Sequence, residues 1–413
     1  MRRVKLLAVA AVLAVSVASS ATPATATGSA FDSDLVAGRY MVVLESGSLP
    51  GRIAAAHEAL YGVEVSHVYR HALQGYAAAM SASTADRIAS LPGVDWVEQD
   101  RIVRATAQTL PTGINRADAD LSPTAQINGV DQRVAADVAV LDTGVSLNHP
   151  DLNVNTAGGR NCIISLLNAN DDHGHGSHVA GTIGALDNSA GVVGVAPGAR
   201  IWPVKVLNAV GAGLVSQIVC GIDYVTSKAG QIDVANMSLT GGGSDDGNCG
   251  NTNNDTEHRA ICASVAAGIT YVVAAGNNAS NAANSIPAAY DEVMTVSALA
   301  DFNGLPGGGA AATCSSDQDD TFASFSNFGP DVDIIAPGVC IYSTTSGSSY
   351  ATMSGTSMAS PHVAGAAALY RAVNPTASPA QVRQALLSAG NTGWTNSDDP
   401  DGIKEPLLNV ATF

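Results

Sequence analysis

Hydrophobic and polar positions follow two different patterns along the chain, and the change falls near residue 105. In residues 38–104, "RYMVVLE" predicts a strand, "LPGRIAAAHEALYG" a helix and "VSHVYRHALQGYAAAM" extended chain. "STADRIASLPG" predicts a second helix capped by Ser83 or Thr84, and "VDWVEQDRIV" predicts a closing strand. This β-α-β-β-α-β order predicts a small ferredoxin-like α/β unit.

Beyond residue 106 the apolar runs become continuous and β-branched, as in "VAADVAVLDTG", "ARIWPVKVL", "DVANMSL", "TYVVAAGN" and "EVMTVSAL". Helical patterns rich in Gly and Ala, such as "SQIVCGIDYVTSKAG" and "SPHVAGAAALYRAV", stand between or after them. Strands that are apolar on both sides and alternate with helices predict a parallel sheet with helices on both faces. The fold class is therefore α/β, and functional loops are expected at the carboxyl ends of the strands.

Residues 1–26 have the pattern of an export signal. Arg2, Arg3 and Lys5 precede the apolar stretch "LLAVAAVLAVSVA", and a small-residue cleavage site follows at Ala24-Thr25-Ala26. A membrane anchor is the alternative, but the apolar run is short for a bilayer crossing and no later stretch has transmembrane length. We expect a secreted, extracellular protein with no membrane segment after signal removal.

The charge of the chain is uneven. The formal net charge is −17, and all of the excess follows residue 106, because residues 1–106 hold 9 acidic and 9 basic side chains. A strongly acidic surface disfavours nucleic-acid binding and favours solubility outside the cell.

All six cysteines lie in the acidic part of the chain. An even number in an exported protein suggests disulfides, although spacing does not decide the pairing. We expect Cys249–Cys262, which would enclose a polar loop, together with Cys314–Cys340 and Cys162–Cys220.

Four polar residues stand where strands end or helices begin. Three of them have a plain structural interpretation when taken alone: Asp142 and Asn277 as turn residues and Ser357 as a helix cap. His175 stands at or near the start of a helix. Taken together, Asp142, His175 and Ser357 supply the orienting carboxylate, general base and nucleophile of a catalytic triad. Asn277 can donate its side-chain amide to the developing oxyanion, beside the backbone N–H of Ser357.

At these residues the chain resembles the secreted subtilisin-family serine proteases, the subtilases. "VAVLDTGVSLNHPDL", "HGSHVAGTIGALDNSAGVVGVAPGARIWPVKVL", "DVANMSLTGG", "VVAAGN", "FSNFGPDVDIIAPG" and "GTSMASPHVAGAAAL" follow the family in order. The resemblance implies Asp142, His175 and Ser357 as the triad and Asn277 as the oxyanion donor. It also implies a signal peptide at 1–26, an inhibitory propeptide at 27–106 and a peptidase domain at 107–413, with self-cleavage between Thr106 and Ala107.

Three histidines in "HGHGSH", at positions 173, 175 and 178, leave a zinc hydrolase as an alternative. Zinc would need a carboxylate where Ser177 stands and further ligands downstream. The resemblance instead assigns His175 as the base and His178 as a structural residue, and it gives His173 no catalytic position.

The resemblance further implies a structural Ca²⁺ site, whose six oxygen ligands suit that ion. They are the side chains of Gln108, Asp151 and Asn188 and the carbonyls of Leu186, Ala190 and Val192. The competing interpretation is that "LDNSAG" forms only a turn.

The resemblance also implies that an extended peptide substrate binds between two chain segments as an added strand. The matching positions are Gly211, Ala212 and Gly213 on one side, Ser238, Leu239, Thr240 and Gly241 on the other, and Ala274, Ala275 and Gly276 in the specificity pocket. Thr240 departs from the glycine common at that place. We expect broad specificity for small or medium apolar residues before the scissile bond.

The expected partners are protein and peptide substrates and the chain's own propeptide, and we expect a monomer. A catalytically inactive homologue acting as a binding protein is the alternative from another class of function.

Overall fold

The computed structural model describes residues 35–101, 108–395 and 399–413. The described residues form two compact units, 35–101 and 108–413. The predicted export signal at 1–26 and the predicted cleavage site between Thr106 and Ala107 lie outside the described residues. No helix in the described ranges is both long and apolar enough to cross a bilayer.

The N-terminal unit is a four-stranded antiparallel sheet in the order β2-β3-β1-β4, with two helices. Its elements are β1 (Leu35–Leu44), α1 (Pro50–Tyr61), β2 (Glu64–Tyr69), β3 (Gly75–Ala79), α2 (Ala82–Ala89) and β4 (Val94–Arg101). The predicted β-α-β-β-α-β arrangement is confirmed. Apolar residues from the sheet and both helices form its core, among them Val42, Tyr76 and Ile88.

The predicted cap of the second helix is wrong. Helix α2 begins at Ala82, and Ser81 is the N-cap residue, since its side chain accepts a hydrogen bond from the Thr84 N–H at 3.1 Å. Ser83 and Thr84 therefore lie inside the first turn. All three positions carry a hydroxyl, so only the backbone conformation distinguishes the capping residue.

The larger unit has one main sheet in the order β13-β12-β10-β8-β5-β7-β6, with β14 also paired to β12. Its strands are β5 (Asp137–Asp142), β6 (Arg160–Asn161), β7 (Arg200–Lys205), β8 (Val234–Met237), β9 (Gly241–Gly242), β10 (Thr270–Ala274), β11 (Ser285–Ile286), β12 (Met294–Ala300), β13 (Thr321–Phe322), β14 (Ile334–Pro337), β15 (Ile341–Thr344) and β16 (Tyr350–Met353). Its helices are α3 (Thr112–Arg116), α4 (His175–Gly184), α5 (Val215–Thr226), α6 (Thr256–Ala266), α7 (Thr356–Val373) and α8 (Pro379–Ala389).

The main sheet is parallel except for the pairing of β12 with β13. Strands β9 and β11 form one separate antiparallel pair, and β15 and β16 form another. Parallel strands need crossover connections, which α5 and α6 supply in this sheet. The predicted parallel α/β architecture is confirmed.

Helices cover both faces of the sheet, because alternate residues of each buried strand enter different cores. In β5, Val138 and Val140 pack into one core with α4 and α7, whereas Ala139 and Leu141 pack into the other with α5 and α6. Full burial of an aliphatic side chain stabilises the fold by about 1.5–3 kcal/mol. The two cores therefore hold β5 firmly, and its carboxyl end is a rigid support for a site.

Candidate active site

The carboxyl ends of neighbouring strands bring the candidate catalytic residues to one edge of the sheet. Asp142 is the last residue of β5, and Ser238 directly follows β8. His175 is the first residue of α4, and Ser357 is the second residue of α7. His175, Ser238 and Ser357 line the same cleft.

The carboxylate of Asp142 holds the imidazole of His175. Asp142 Oδ1 lies 2.7 Å from His175 Nδ1, and the Asp142 side chain is completely buried. The helix can begin this close to β5 because residue 176 is glycine: a Cβ there would overlap the Gly144 carbonyl oxygen. Since Nδ1 donates to the carboxylate, His175 Nε2 is left as the atom that can accept a proton.

Opposing effects set the pKa of His175. Burial by itself lowers it, but the negative charge of Asp142, the hydrogen bond to that carboxylate and the charge of Asp171 outweigh burial and raise the pKa above its ordinary value. The same groups would stabilise an imidazolium at this position.

Ser357 is fixed by a proline in its own helix. Pro361 has no N–H, so the Ser357 carbonyl four residues earlier has no helical donor and accepts the Ser238 hydroxyl at 2.9 Å instead. Ser357 Oγ donates to the Ser238 carbonyl at 3.3 Å, and no hydrogen bond joins it to His175. Catalytic hydrogen bonds often form only when substrate is bound.

Asn277 follows β10, and Thr356 orients its side chain. The backbone N–H and hydroxyl of Thr356 donate to Asn277 Oδ1 at 2.8 and 2.9 Å. The Thr356 hydroxyl also accepts from the Gly276 N–H at 3.1 Å. With Oδ1 occupied by these donors, the Nδ2 amide is the group that can donate to an oxyanion.

The other two histidines of "HGHGSH" have different surroundings. His178 Nε2 lies 3.0 Å from the Ile341 carbonyl oxygen and 3.1 Å from that of Ala351, and burial lowers the pKa of His178 to about 4. A neutral, buried imidazole that donates to backbone carbonyls has a structural role. His173 lines the cleft with its ring 6.2 Å from that of His175. The Ser177 hydroxyl donates to the buried carboxylate of Asp171. The same carboxylate accepts the backbone N–H groups of His173 and Gly174, just before α4.

The cleft has a volume of about 680 Å³ and contains both predicted substrate-binding edges. Those edges are Gly211, Ala212 and Gly213 on one side and Ser238, Leu239, Thr240 and Gly241 on the other. Ala274, Ala275 and Gly276 are buried and do not line this cleft. Their assignment to a specificity pocket remains a prediction.

Sequence reasoning missed three residues near the site. Thr356 positions Asn277, as described above. Lys205 ends β7 and is buried, and its ammonium donates to the carbonyls of Thr143 and Leu207 and to the Asp172 carboxylate. It fixes the turn that follows Asp142. The sequence pattern that could have indicated this role is a lysine at the end of an apolar strand. A buried charge at such a place needs polar partners nearby.

Glu257, the second residue of α6, is the third missed residue. It lines the cleft and is only 2% exposed. Its Oε1 atom is buried without a hydrogen-bond partner among the described residues. Burial and, to a smaller extent, the charge of Asp255 raise the pKa of Glu257 to about 7. No sequence pattern indicated that this helical glutamate lies beneath the cleft.

Five of the six predicted calcium-binding groups lie in two contacting sets, one around the Gln108 amide and one formed by Asn188 and Asp151. The Gln108 amide lies 2.5 Å from the Leu186 carbonyl oxygen and 3.0 Å from that of Val192, and the Asn188 amide lies 2.9 Å from Asp151 Oδ1. Rotation of the Gln108 side-chain amide by half a turn would exchange its nitrogen and oxygen positions. The oxygen would then point toward the same place as the two carbonyl oxygens, as a calcium ligand must.

Two further observations fit a cation at this place. The Asp151 carboxylate is buried, and its hydrogen-bond donors, from Asn188, Val192 and Tyr350, are all neutral. A Cβ on Gly191 would overlap both Asp151 Oδ2 and the Tyr350 hydroxyl, so the loop must have glycine there. The residues therefore fit a calcium ion. Ala190, the sixth group, is exposed, and its N–H donates to Asn188 Oδ1.

All three expected disulfides are confirmed. Cys162–Cys220, Cys249–Cys262 and Cys314–Cys340 are bonded, and no cysteine is free in the described chain, which includes all six.

A parallel α/β sheet with a carboxylate, an imidazole and a hydroxyl at one cleft defines the class of the larger unit, which is that of serine hydrolases. Comparison with known proteins narrows this class. Residues 135–403 match the family described as the Subtilase family, and residues 39–106 match the family described as Peptidase inhibitor I9.

Several relatives share most of the chain. An alkaline protease of Alkalihalobacillus alcalophilus is 39% identical over 318 residues, which is 77% of this chain and 74% of that protein. Subtilisin Savinase of Lederbergia lenta is 41% identical over 291 residues, covering 70% of this chain and 95% of the relative. A solved structure of a cold adapted subtilisin-like serine proteinase has a TM-score of 0.56 and 31% identity, covering 71% of this chain and 98% of that one.

The chain belongs to the subtilase family. It is a subtilisin-type serine endopeptidase with an N-terminal propeptide of the inhibitor type.

Proposed function

We propose that this protein is a secreted endopeptidase that hydrolyses peptide bonds through an acyl-enzyme, with Ser357 as nucleophile, His175 as general base and acid, and Asp142 as the orienting carboxylate. The contact of 2.7 Å between Asp142 Oδ1 and His175 Nδ1, in a cleft that Ser357 also lines, carries this proposal.

The reaction follows from these positions. His175 Nε2 takes the proton of Ser357 Oγ as that oxygen bonds to the scissile carbonyl carbon. The resulting oxyanion accepts hydrogen bonds from Asn277 Nδ2 and the Ser357 N–H. His175 then gives its proton to the leaving amine, and the C–N bond breaks. Water, deprotonated by the same imidazole, hydrolyses the ester and restores Ser357.

A Ser357→Ala variant tests the assignment of the nucleophile. We expect it to lose casein hydrolysis, and we expect a serine-directed phosphonylating reagent to label the parent enzyme but not the variant. Ser348→Ala is the matched control, because Ser348 is exposed on the loop between β15 and β16. Intact hydrolysis by Ser357→Ala would overturn the assignment, and an inactive, unlabelled parent enzyme would favour the binding-protein alternative.

We also propose a domain organisation of signal 1–26, propeptide 27–106 and peptidase 107–413, with self-cleavage between Thr106 and Ala107. The family matches at 39–106 and 135–403 support it. The propeptide would act as an intramolecular inhibitor until it is removed. The Ser357→Ala chain should stay uncut from about residue 27, whereas spontaneous cleavage near residue 106 in that variant would exclude self-processing.

Specificity is proposed to be broad, with small or medium apolar residues preferred before the scissile bond. Thr240 supports this, because it lines the cleft and its β-branched side chain occupies space that a glycine would leave open. Cleavage sites in a denatured protein should show this preference. A strong majority of aromatic or basic residues at that position would contradict it.

The peptidase domain is proposed to hold one structural Ca²⁺ through Gln108, Asp151, Leu186, Asn188, Ala190 and Val192. The ion would neutralise the buried Asp151 carboxylate and join the start of the domain to the loop that follows α4. EDTA should therefore accelerate thermal inactivation of the processed enzyme. Unchanged inactivation would contradict a bound calcium ion.

The remaining parts of the proposal are an extracellular location, protein and peptide substrates, a monomeric state and no nucleic-acid partner. The acidic composition supports the absence of a nucleic-acid partner, and the similarity to alkaline proteases supports protein and peptide substrates. Analysis of culture medium and sedimentation of the processed enzyme test the location and the monomeric state.

A further inference from the structure

A second cluster of metal-binding side chains lies away from the catalytic residues, where a polar loop meets the start of α6. Asp245 and Asp246 belong to the loop after β9, and His258 is the third residue of α6. His258 Nδ1 lies 3.5 Å from Asp245 Oδ1 and 3.5 Å from Asp246 Oδ1. The imidazole is completely buried.

The protonation of this imidazole leaves a lone pair facing two carboxylates. His258 Nε2 lies 2.8 Å from Glu292 Oε2, and an ionised carboxylate can only accept, so Nε2 carries a proton. In the neutral imidazole, Nδ1 then has no proton. Nδ1 is buried without a hydrogen-bond partner among the described residues. Three electron-rich atoms facing one another require a positive charge between them.

The distances between His258 Nδ1 and the two aspartate oxygens indicate that the positive charge between them is a metal ion and not a proton on Nδ1. A charge-assisted hydrogen bond would draw nitrogen and oxygen to about 2.7–2.9 Å. Two ligands bound to a tetrahedral zinc ion at about 2.1 Å lie about 3.4 Å apart. The observed 3.5 Å from His258 Nδ1 to each carboxylate oxygen agrees with the second geometry.

We propose that Asp245, Asp246 and His258 form a binding site for a divalent transition-metal ion of the zinc type. An imidazole nitrogen with carboxylate oxygens suits such an ion better than Ca²⁺, which takes oxygen ligands. Water would complete the coordination. The nearby sulfurs of Cys249 and Cys262 are joined in a disulfide and are not thiolate ligands.

The surroundings of the site are rigid before any ion binds. The His258 ring stacks on Tyr290 with centroids 4.1 Å apart and planes 2° from parallel. Glu292 holds the other ring nitrogen, as a carboxylate commonly does behind a metal-bound histidine. Asp246 accepts the backbone N–H groups of Asn248 and Gly250 at Oδ1 and those of Thr252 and Asn253 at Oδ2. Asp245 Oδ1 accepts the Gly247 N–H, so the bound ion would add to these contacts.

The site would join two parts of the cleft. The loop that carries Asp245 and Asp246 continues from Gly241, which lines the cleft, and α6 carries Glu257 beneath the same cleft. A bound ion would therefore tie one substrate-binding edge to the helix under it. The proposed ligands are separate from the triad residues, so loss of zinc binding would leave the catalytic assignment unchanged.

Calorimetric titration of Zn²⁺ into the processed enzyme tests the proposal. The enzyme is first blocked with a serine-directed reagent and saturated with Ca²⁺. We expect one equivalent of zinc that is lost in Asp245→Asn and in His258→Gln. Glu292→Gln should retain the equivalent with an affinity lower by about 10–100-fold, since Glu292 only supports the histidine. Zinc X-ray absorption should show one imidazole nitrogen among oxygen ligands.

Asp291→Asn is the matched control, because Asp291 is an exposed acidic residue next to the cluster whose side chain is not a proposed ligand. It should bind zinc like the parent. Asp245→Asn keeps an oxygen that can accept the Gly247 N–H, so this variant should fold even if His258→Gln does not. Equal zinc stoichiometry in the parent and Asp245→Asn would overturn the proposal. A doubly protonated His258 that does not respond to zinc in NMR spectra would also overturn it, in favour of an ion-paired imidazolium.

Discussion

Replacing Glu257 by glutamine should change how the stability of the processed enzyme depends on pH. The Glu257 carboxyl is 2% exposed, and burial followed by the charge of Asp255 raises its pKa from 4.5 to about 7. Below pH 4.5 the carboxyl is protonated in both folded and unfolded chains and contributes nothing. Between pH 4.5 and 7 the unfolded chain gains by ionisation while the folded chain does not, so stability falls; above pH 7 the loss is constant.

The size of the loss follows from the shift. A rise from 4.5 to about 7 corresponds to about 3 kcal/mol, at about 1.36 kcal/mol for each pKa unit. In a domain of this size, about 3 kcal/mol corresponds to roughly 5–10 °C in Tm. Glutamine does not titrate, so the Glu257→Gln variant should lack this part of the pH dependence.

The measurement is denaturant unfolding of the serine-blocked enzyme at pH 5 and pH 8.5. We expect the stability of the variant relative to the parent to increase by about 2–3 kcal/mol between the two pH values. Asp223→Asn, which removes an exposed carboxylate from α5, is the control and should show no such increase. The raised pKa of Glu257 would be refuted if the free energies of unfolding of Glu257→Gln and the parent differed by the same amount at pH 5 and pH 8.5. Such a result would mean that Glu257 has the same pKa in the folded and unfolded chains.

Further predictions concern the cleft, the base and the calcium loop. Above pH 7, Glu257→Gln should lower kcat/KM for peptides whose basic side chain reaches the cleft floor, and a pair of matched lysine and norleucine peptides measures this. In steady-state assays, Asn277→Ala should lower kcat by about 10²–10³-fold with KM unchanged. Thr356→Val should lower kcat by about tenfold, because it removes only one of the two donors to Asn277 Oδ1. Because the pKa of His175 is raised and its neutral form is the base, kcat/KM should rise with pH through a value above 6.5. A midpoint below 6.5 in the pH profile would contradict this. Gly191→Ala should speed thermal inactivation and weaken the effect of EDTA, since the added Cβ enters the proposed calcium site.

The fold class and the residue types of the candidate site could be predicted from local sequence patterns. Strand and helix periods are local properties, and burial on both faces of β5 required the continuous apolar run ending at Asp142. The family motifs singled out Asp142, His175, Ser357 and Asn277, which the sheet brings to one edge. The disulfide pairs were also anticipated, although spacing alone left the pairing open.

The contacts between polar groups, by contrast, depend on the three-dimensional packing. Ser81 rather than Ser83 or Thr84 caps α2, because capping depends on backbone angles that three neighbouring hydroxyls do not reveal. Glu257 and His258 are adjacent in sequence, yet one lines the cleft and the other faces the acidic loop, because a helix points successive side chains in different directions. Such pairings join residues that are distant along the chain, and their burial and charge depend on packing that no local pattern encodes.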